Sequence, residues 1–479
     1  MALRFLLNGE LRLEDGVPPT MTVLDWLRTR ARLTGTKEGC AEGDCGACTI
    51  VLAREEDGRP HYEAVNSCLM MVPQLDGRTV LTIEGLAPPD GPLHPVQQAM
   101  MDADATQCGF CTPGFVMAMF AFREGGEPAD DDRIHEALAG NLCRCTGYRS
   151  IVDACRAAIG TAGKLQSQPI ERLRHAIQED ATEVRHEYIH GAQVFLAPRT
   201  LDDLLTMRAE HPDAILLAGA TDLGLRVSKA REALPTVIST AAVRELKRIA
   251  ADANALEIGS AVSYTEALPH LDRYFPAFGA LVRRIGSRQI RNLGTLAGNI
   301  ATASPIGDTL PCLIALEATV TLRSRQHART MPVESFVTGY RTTALASDEV
   351  IASICIPFAA AGQNFAAYKV SKRFDQDIST VVAAFRLTLQ NSRVTNLRAV
   401  YGGMAPRPAR AAGVEAAIRG RAWTQESLVD IDTLLARDFT PISDQRGGAA
   451  YRLRAAAGLL RRFQLETASS DIPTRVEAL

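Results

Sequence analysis

Apolar positions at the start of the chain predict a strand over Leu3–Leu7 and a second over Glu10–Glu14, joined at Asn8-Gly9, a pair that favours the positive φ of a tight hairpin turn. The period then changes. Val23, Trp26, Leu27 and Ala31 recur at helical spacing, with Thr22 as N-cap and Asp25 at the capping-box position. Apolar and β-branched runs over 48–54, 61–72 and 78–84 read as strands, so residues 1–87 predict a small mixed domain of sheet and one helix. Pro88, Pro89, Gly91 and Pro92 break the pattern, and Pro95 stands where a first helical residue stands. Four helices follow, over 95–103, 113–123 closed by Gly125-Gly126, 132–139 and 150–159.

Residues 161–190 are charged and carry at most a short helix over 170–177, so they read as a linker. Beyond them a short strand over 214–217 runs into a turn of small residues. Strands over 366–370 and 381–389 and helical runs over 410–419 and 449–465 complete an alternating α and β pattern. There is no internal repeat. A chain of 479 residues accommodates about three domains, each with its own core. The net charge of -3, with Lys and Arg dispersed, argues against nucleic acid as a partner. One basic residue and a short apolar run at the N-terminus make no signal peptide, and nowhere do eighteen apolar residues stand together. The expectation is a soluble, cytoplasmic protein with no membrane contact.

The cysteines change the picture. Nine of eleven fall between Cys40 and Cys155. Cys40, Cys45 and Cys48 have the C-x4-C-x2-C spacing of a plant-type [2Fe-2S] loop, and Cys68 is the candidate fourth thiolate. Gly39, Gly43 and Gly46 let the backbone turn its N–H groups toward bridging sulfides. A disulfide framework would strain three cysteines this close, and zinc, which also takes four thiolates, is the remaining alternative. A second set, Cys108 and Cys111 in Gln-Cys-Gly-Phe-Cys-Thr-Pro-Gly with Cys143 and Cys145 in Asn-Leu-Cys-Arg-Cys-Thr-Gly-Tyr, lies at helix ends. Helix N-termini after Thr112 and near Ser150 would offset its charge. Ile151, Cys155 and Ile159 share one helical face, so Cys155 reads as core, as do Cys312 and Cys355 within apolar runs.

Both cysteine sets, with the residues between them, resemble the iron-sulfur half of the xanthine dehydrogenase family of molybdenum hydroxylases. The resemblance implies an α+β multidomain protein: a plant-type ferredoxin-like [2Fe-2S] domain over 1–87, a four-helix [2Fe-2S] bundle over 88–160, the linker 161–190, a vanillyl-alcohol-oxidase-type FAD domain over 191–361 and an α/β flavoprotein C-terminal domain over 362–479. It also implies that Gln107 and Cys145 approach the molybdopterin.

Two small-residue stretches are suited to close backbone approach by a phosphate-bearing ligand: Ala218-Gly219-Ala220-Thr221-Asp222-Leu223-Gly224, and the run from Arg291 to Asp308. The first alone is weak, being neither G-x-G-x-x-G nor a P-loop. Both resemble the family's flavin domain. That resemblance carries FAD binding onto Leu216, Leu217, Ala218, Gly219, Ala220, Thr221, Asp222, Leu223, Thr295, Leu296, Ala297, Gly298, Asn299, Asp308, Ile351 and Lys369. Ile285 stands where many relatives place an aromatic residue beside the flavin. The loop Ser371 to Ile378 is implied to govern access of the electron acceptor.

No hydrolytic triad or acid/base pair stands out, and no catalytic residue is assigned. The molybdopterin-binding domain of the family finds no counterpart in the sequence, which resembles the small iron-sulfur/FAD subunit of bacterial members. The implied role is electron transfer from hypoxanthine or xanthine, oxidised on a molybdopterin-binding large subunit, through two [2Fe-2S] clusters to FAD and NAD. The implied assembly is a heterotetramer of two small and two large subunits. Another molybdenum hydroxylase, acting on aldehydes or N-heterocycles, and a free-standing NADH-dependent reductase are the alternatives.

Overall fold

The computed structural model describes residues 2–56, 59–87, 90–159, 186–358, 362–468 and 474. Most of the 161–190 linker, with the short helix expected over 170–177, lies outside them. The chain forms two compact units, Met1–Val243 with Gly286–Gly294, and Arg244–Ile285 with Thr295–Leu479. The boundary at Val243 falls inside the 191–361 segment.

In the first unit the hairpin forms as the Asn-Gly pair dictates: Asn8 and Gly9 take φ of 51° and 87°, and Leu7 pairs with Glu10. Leu3–Leu7 also pairs in parallel with Thr79–Leu81, completing a five-stranded sheet with Thr49–Glu56 and Arg59–Asn66. The helix Val23–Thr29 packs on this sheet, Phe5 meeting Trp26 edge-on at 5.2 Å. Its start is set by Thr22, whose Oγ1 accepts the Asp25 N–H at 3.0 Å.

Two expected strands are shorter than their apolar runs. The run over 61–72 leaves the sheet at Asn66, because Ser67 N and Oγ both donate to the Cys48 carbonyl, at 3.3 and 2.7 Å, and turn the chain so that Cys68 faces Cys48. Val72–Leu75 is then a 3₁₀ turn. The run over 78–84 keeps only Thr79–Leu81 as strand and continues as a 3₁₀ turn, Ile83–Gly85. Burial of apolar side chains does not require strand pairing, and periodicity alone overextended both.

The helices Pro95–Asp102, Thr112–Glu124, Asp131–Leu138 and Arg149–Ile159 enclose a core that includes Phe115, Phe120, Ile134, Ile151 and Cys155. Cys155 is fully buried, and burial pushes its thiol up to about 12, as befits a core residue. A second sheet in this unit, of His186–His190, Gln193–Ala197, Thr236–Ser239 and Ile215–Leu217, joins the first through a common core: Phe195, Leu217 and Val237 pack in one cluster with Phe5 and Trp26. Polar ties accompany it, Tyr188 donating to the Val17 carbonyl at 2.7 Å and Gln193 Nε2 to Thr20 Oγ1 at 2.7 Å.

The second unit holds a five-stranded antiparallel sheet of Ile249–Ala251, Ala255–Gly259, Val350–Pro357, Thr319–Arg323 and Ala328–Pro332. It also holds a four-stranded one of Gln363–Val370, Val381–Gln390, Arg393–Gly402 and Ala409–Arg410. Cys312 is core as expected. Cys355 is only half-buried, since strand alternation places it on the opposite face from Ile354 and Ile356.

The long helix Ala449–Ala468 buries a charged side chain: Arg452, 1% exposed, donates to the carbonyls of Thr380 and Gly403 and to Asp444 Oδ1. Replacing it by Met removes the cation and its hydrogen bonds to the two carbonyls, leaving Asp444 with only the Arg446 and Gly447 N–H groups and the Arg446 guanidinium, which costs about 3 kcal/mol. Arg452→Met should therefore lower the unfolding temperature read by the fluorescence of Trp423, which packs against the same helix through Phe463 at 6.0 Å. An unchanged transition would show that water replaces the guanidinium.

Candidate redox centres

The first cysteine loop is wound so tightly that a Cβ on Gly39 would lie 2.7 Å from Cys45 Sγ. Gly43 and Gly46 take φ of 84° and 65° there. As a result backbone N–H groups point at sulfur: Cys40 N reaches Cys45 Sγ at 3.3 Å, while Glu42 N and Cys45 N reach Cys40 Sγ at 3.4 Å. These are the contacts that stabilise a thiolate-bound anion.

The sulfurs stand in pairs. A bond shared with Cys45 draws the Cys40 thiol down to about 5 and pushes Cys45 up; Cys48 and Cys68 form the second pair, with Cys48 lowered and Cys68 raised by the same sharing. The charge of Cys40 acts to raise both Cys48 and Cys68. Among the described residues no three of His, Cys, Asp and Glu converge on one ion. Two pairs of thiolates are the donor set of a binuclear cluster, with two cysteines to each iron.

The second set repeats the arrangement at helix ends. Cys145 Sγ lies 3.5 Å from Cys108 Sγ, with Cys108 lowered first by the Phe110 N–H and then by Cys145, which is itself raised. Burial, then its bond with Cys143, pushes Cys111 up to about 12. Cys143 is held to about 7 against the upward push of burial by Thr146, whose Oγ1 lies 3.2 Å from its sulfur. The Cys143 N–H donates to Tyr148 Oη at 2.9 Å. Cys108 and Cys145 are exposed, as is Gln107, and exposed Phe110, Leu142 and Tyr148 stand among them in the sequence.

The two loops touch. Leu142 N donates to the Cys45 carbonyl at 3.0 Å, and Asn141 Nδ2 to the Gly46 carbonyl at 2.9 Å. The first loop is also met by the chain that follows the small-residue turn: Ser228 Oγ donates to the Ala41 carbonyl at 2.8 Å and Lys229 Nζ to the Cys40 carbonyl at 3.1 Å. Asn141 and Tyr148 stand within the motifs quoted above, where nothing in their type announced a role. Ser228 and Lys229 carry no signal in the sequence at all.

Of the candidate FAD residues, Leu216 and Leu217 end the strand Ile215–Leu217, and Ala218 to Leu223 form the turn after it, with Ala220 at φ 64°. Gly219 is also required by the chain's own packing: a Cβ there would lie 1.7 Å from the Leu293 carbonyl. In the second unit Thr295 caps the helix Leu296–Thr302, its Oγ1 accepting the Gly298 N–H at 2.9 Å. A Cβ on Gly298 would meet only that Oγ1, at 3.0 Å, so among the described residues its approach is otherwise open. That is the backbone exposure a large phosphate-bearing cofactor needs.

Asn299 Oδ1 accepts from Thr309 Oγ1 at 2.5 Å. Asp308 and Lys369, both buried, are brought together at 2.7 Å; Ser379 Oγ donates to the other Asp308 oxygen at 2.5 Å, and Lys369 Nζ to the Arg284 carbonyl at 2.9 Å. Ile351 belongs to the core of this unit, and Ile285 packs half-buried against that core. The loop from Ser371 to Ile378 is mostly exposed, and the Arg284 guanidinium lies over Phe374 at 4.5 Å.

Comparison with known proteins agrees along the chain. Residues 5–73 match the family of the 2Fe-2S iron-sulfur cluster binding domain and residues 82–156 that of the [2Fe-2S] binding domain. Residues 189–359 match the FAD binding domain in molybdopterin dehydrogenase, and residues 366–467 the CO dehydrogenase flavoprotein C-terminal domain. Xanthine dehydrogenase of Emericella nidulans is 34% identical over 99% of this chain and 40% of its own length; xanthine dehydrogenase/oxidase of Gallus gallus is 31% identical over 93% and 38%. The chain thus spans about 40% of the length of the curated relatives it matches. Among solved structures, a chain of carbon monoxide dehydrogenase from Hydrogenophaga pseudoflava superposes with a TM-score of 0.53 at 28% identity, covering 57% of this chain and 96% of that one. No helix of the described residues is long and apolar enough to cross a membrane. The chain belongs to the molybdenum hydroxylase family, of which it carries the two [2Fe-2S] domains and the FAD-binding domains.

Proposed function

We propose that this chain is the iron-sulfur/FAD electron-transfer subunit of a cytoplasmic xanthine dehydrogenase, with its molybdopterin on a partner subunit and NAD as the acceptor. The observation that carries the reading is the direct bonding of the second cysteine loop to the first, and of the first to the segment after the small-residue turn. When bound, two [2Fe-2S] clusters supply one-electron steps and FAD converts single electrons into a hydride equivalent. Cys108, Cys111, Cys143 and Cys145 hold one cluster, and Cys40, Cys45, Cys48 and Cys68 the other. Backbone N–H groups aimed at their sulfurs hold the thiolates charged.

Exposed Gln107 and Cys145, with exposed apolar Phe110, Leu142 and Tyr148 close to them in the sequence, face the partner. For FAD we assign Leu216 to Leu223, Thr295 to Asn299, Asp308, Ile351 and Lys369, within domains bounded at residues 87, 160, 190 and 361. The two-plus-two heterotetramer belongs to the same proposal. A second reading, the same role beside a partner with another substrate, draws on the likeness to carbon monoxide dehydrogenase.

Three measurements test this. The purified chain should hold about four irons and show two EPR signals when reduced, and Cys143→Ser should remove one signal and spare the other. Zinc in place of iron, or survival of both signals, would sink the assignment. Gly298→Val, which meets little within the chain, should release FAD while leaving thermal unfolding of the flavin-free protein unchanged; retention of flavin would move the cofactor elsewhere. NADH should bleach the flavin of the isolated chain and reduce a dye, whereas xanthine should do nothing until a molybdenum partner is added. Gln107→Ala should then slow only the xanthine-dependent reaction. Equal loss of both reactions would point to misfolding instead.

A further inference from the structure

The short helix Arg288–Arg291 lies in sequence within the flavin-domain match, yet it packs as part of the first unit, against both cysteine domains. Its flanks are fastened to each. Arg288 donates to both carboxylate oxygens of Glu127, at 2.6 and 3.1 Å, and Arg291 to Glu136 at 2.8 Å, which ties the helix to the helical domain. Asn292 Nδ2 donates to the Ala64 carbonyl at 2.8 Å, which ties it to the sheet.

Between these anchors stands Gln289, with no solvent exposure. Its Nε2 donates to Asn141 Oδ1 at 2.9 Å and to Thr49 Oγ1 at 3.3 Å. Thr49 follows Cys48 in the chain. Asn141 stands two residues before Cys143 and passes the linkage on, its Nδ2 donating to the Gly46 carbonyl next to Cys45. One amide therefore grips both ligand loops from outside either domain.

We propose that Gln289 is a positioning residue that sets the two [2Fe-2S] sites relative to one another. The inference rests on the reading of both cysteine sets as cluster ligands. An apolar side chain of similar volume would fill this dry seam at no desolvation cost. The seam holds instead an amide whose buried Oε1 finds no hydrogen-bond partner among the described residues, against Gly140, where a Cβ would lie 1.9 Å from that oxygen. A polar group retained at this cost fixes register and does little for gross stability. Hydrogen bonds to the residues beside metal-ligating side chains orient those ligands and set potentials.

The test uses the full chain with its iron and flavin, reduced in steps and followed by EPR. In Gln289→Leu the iron content should stay at the wild-type value, while the midpoint potentials of the two signals shift relative to each other and the magnetic broadening between the reduced clusters changes. Arg288→Ala, which loosens the same helix but keeps Gln289, should leave both readouts at wild type. Unchanged potentials and broadening in Gln289→Leu overturn the proposal, as does an Arg288→Ala variant that reproduces the change. If Gln289→Leu loses iron, Gln289→Asn, which keeps the amide but shortens its reach, carries the same test; loss of iron from both makes the residue a folding element and overturns the positioning role. A wild-type chain lacking two signals would fail the cluster reading itself, whereas two wild-type signals with an unchanged Gln289→Leu would fail this inference alone.

Discussion

Everything on the iron-sulfur side depends on backbone meeting backbone where the two cysteine loops touch. A Cβ on Gly46 would lie 2.2 Å from the Gly140 carbonyl, and one on Gly114 2.3 Å from the Gly46 carbonyl. Such distances leave no room for any side chain. Only because three glycines meet there can Leu142 N reach the Cys45 carbonyl and Asn141 the Gly46 carbonyl. Gly46 also has φ of 65°, so its requirement is doubled. The approach brings Leu142, the neighbour of Cys143, into a hydrogen bond with the carbonyl of Cys45, so that residues of the two candidate cluster loops are one bond apart.

How much of this was legible in the sequence follows from where the information is local. Cysteine spacing is local, and so are the Asn-Gly turn, the Thr22 cap and the proline that opens the helix Pro95–Asp102. Each appears in the structure where the residues place it. Strand ends were not legible. The apolar run over 61–72 continues into buried positions that are not strand, because the pull on the chain at Ser67 comes from the Cys48 carbonyl, nineteen residues away. Cys355 was misjudged in the same way, since an apolar run does not say which of its faces meets the core.

Polar burial was the least legible feature. Asp308 and Lys369 were singled out by resemblance, and the structure pairs them with each other, adding Ser379 and the Arg284 carbonyl. Nothing about Ser379 in the sequence distinguishes it from any serine before a strand. Arg452 is as silent: the helical period counts it as a polar position, yet it is buried, because three acceptors from distant turns converge on it. Long-range hydrogen bonding cannot be read from a window of neighbours.

Gln289 shows how such a residue comes to matter in a chain assembled from modules. The helical domain and the second sheet each share an apolar cluster with the first sheet, and apolar contacts alone specify position only to within their own play. A buried amide with fixed donors admits fewer registers, since a slip takes the Gln289 donor from Asn141 Oδ1 and Thr49 Oγ1, at a cost of about 1–3 kcal/mol for a group left bare. The segment that carries it is held by ion pairs to Glu127 and Glu136 on one side and by Asn292 on the other, so the amide itself has little freedom. Where function depends on the spacing of redox groups, a small polar wedge of this sort sets what apolar packing leaves loose.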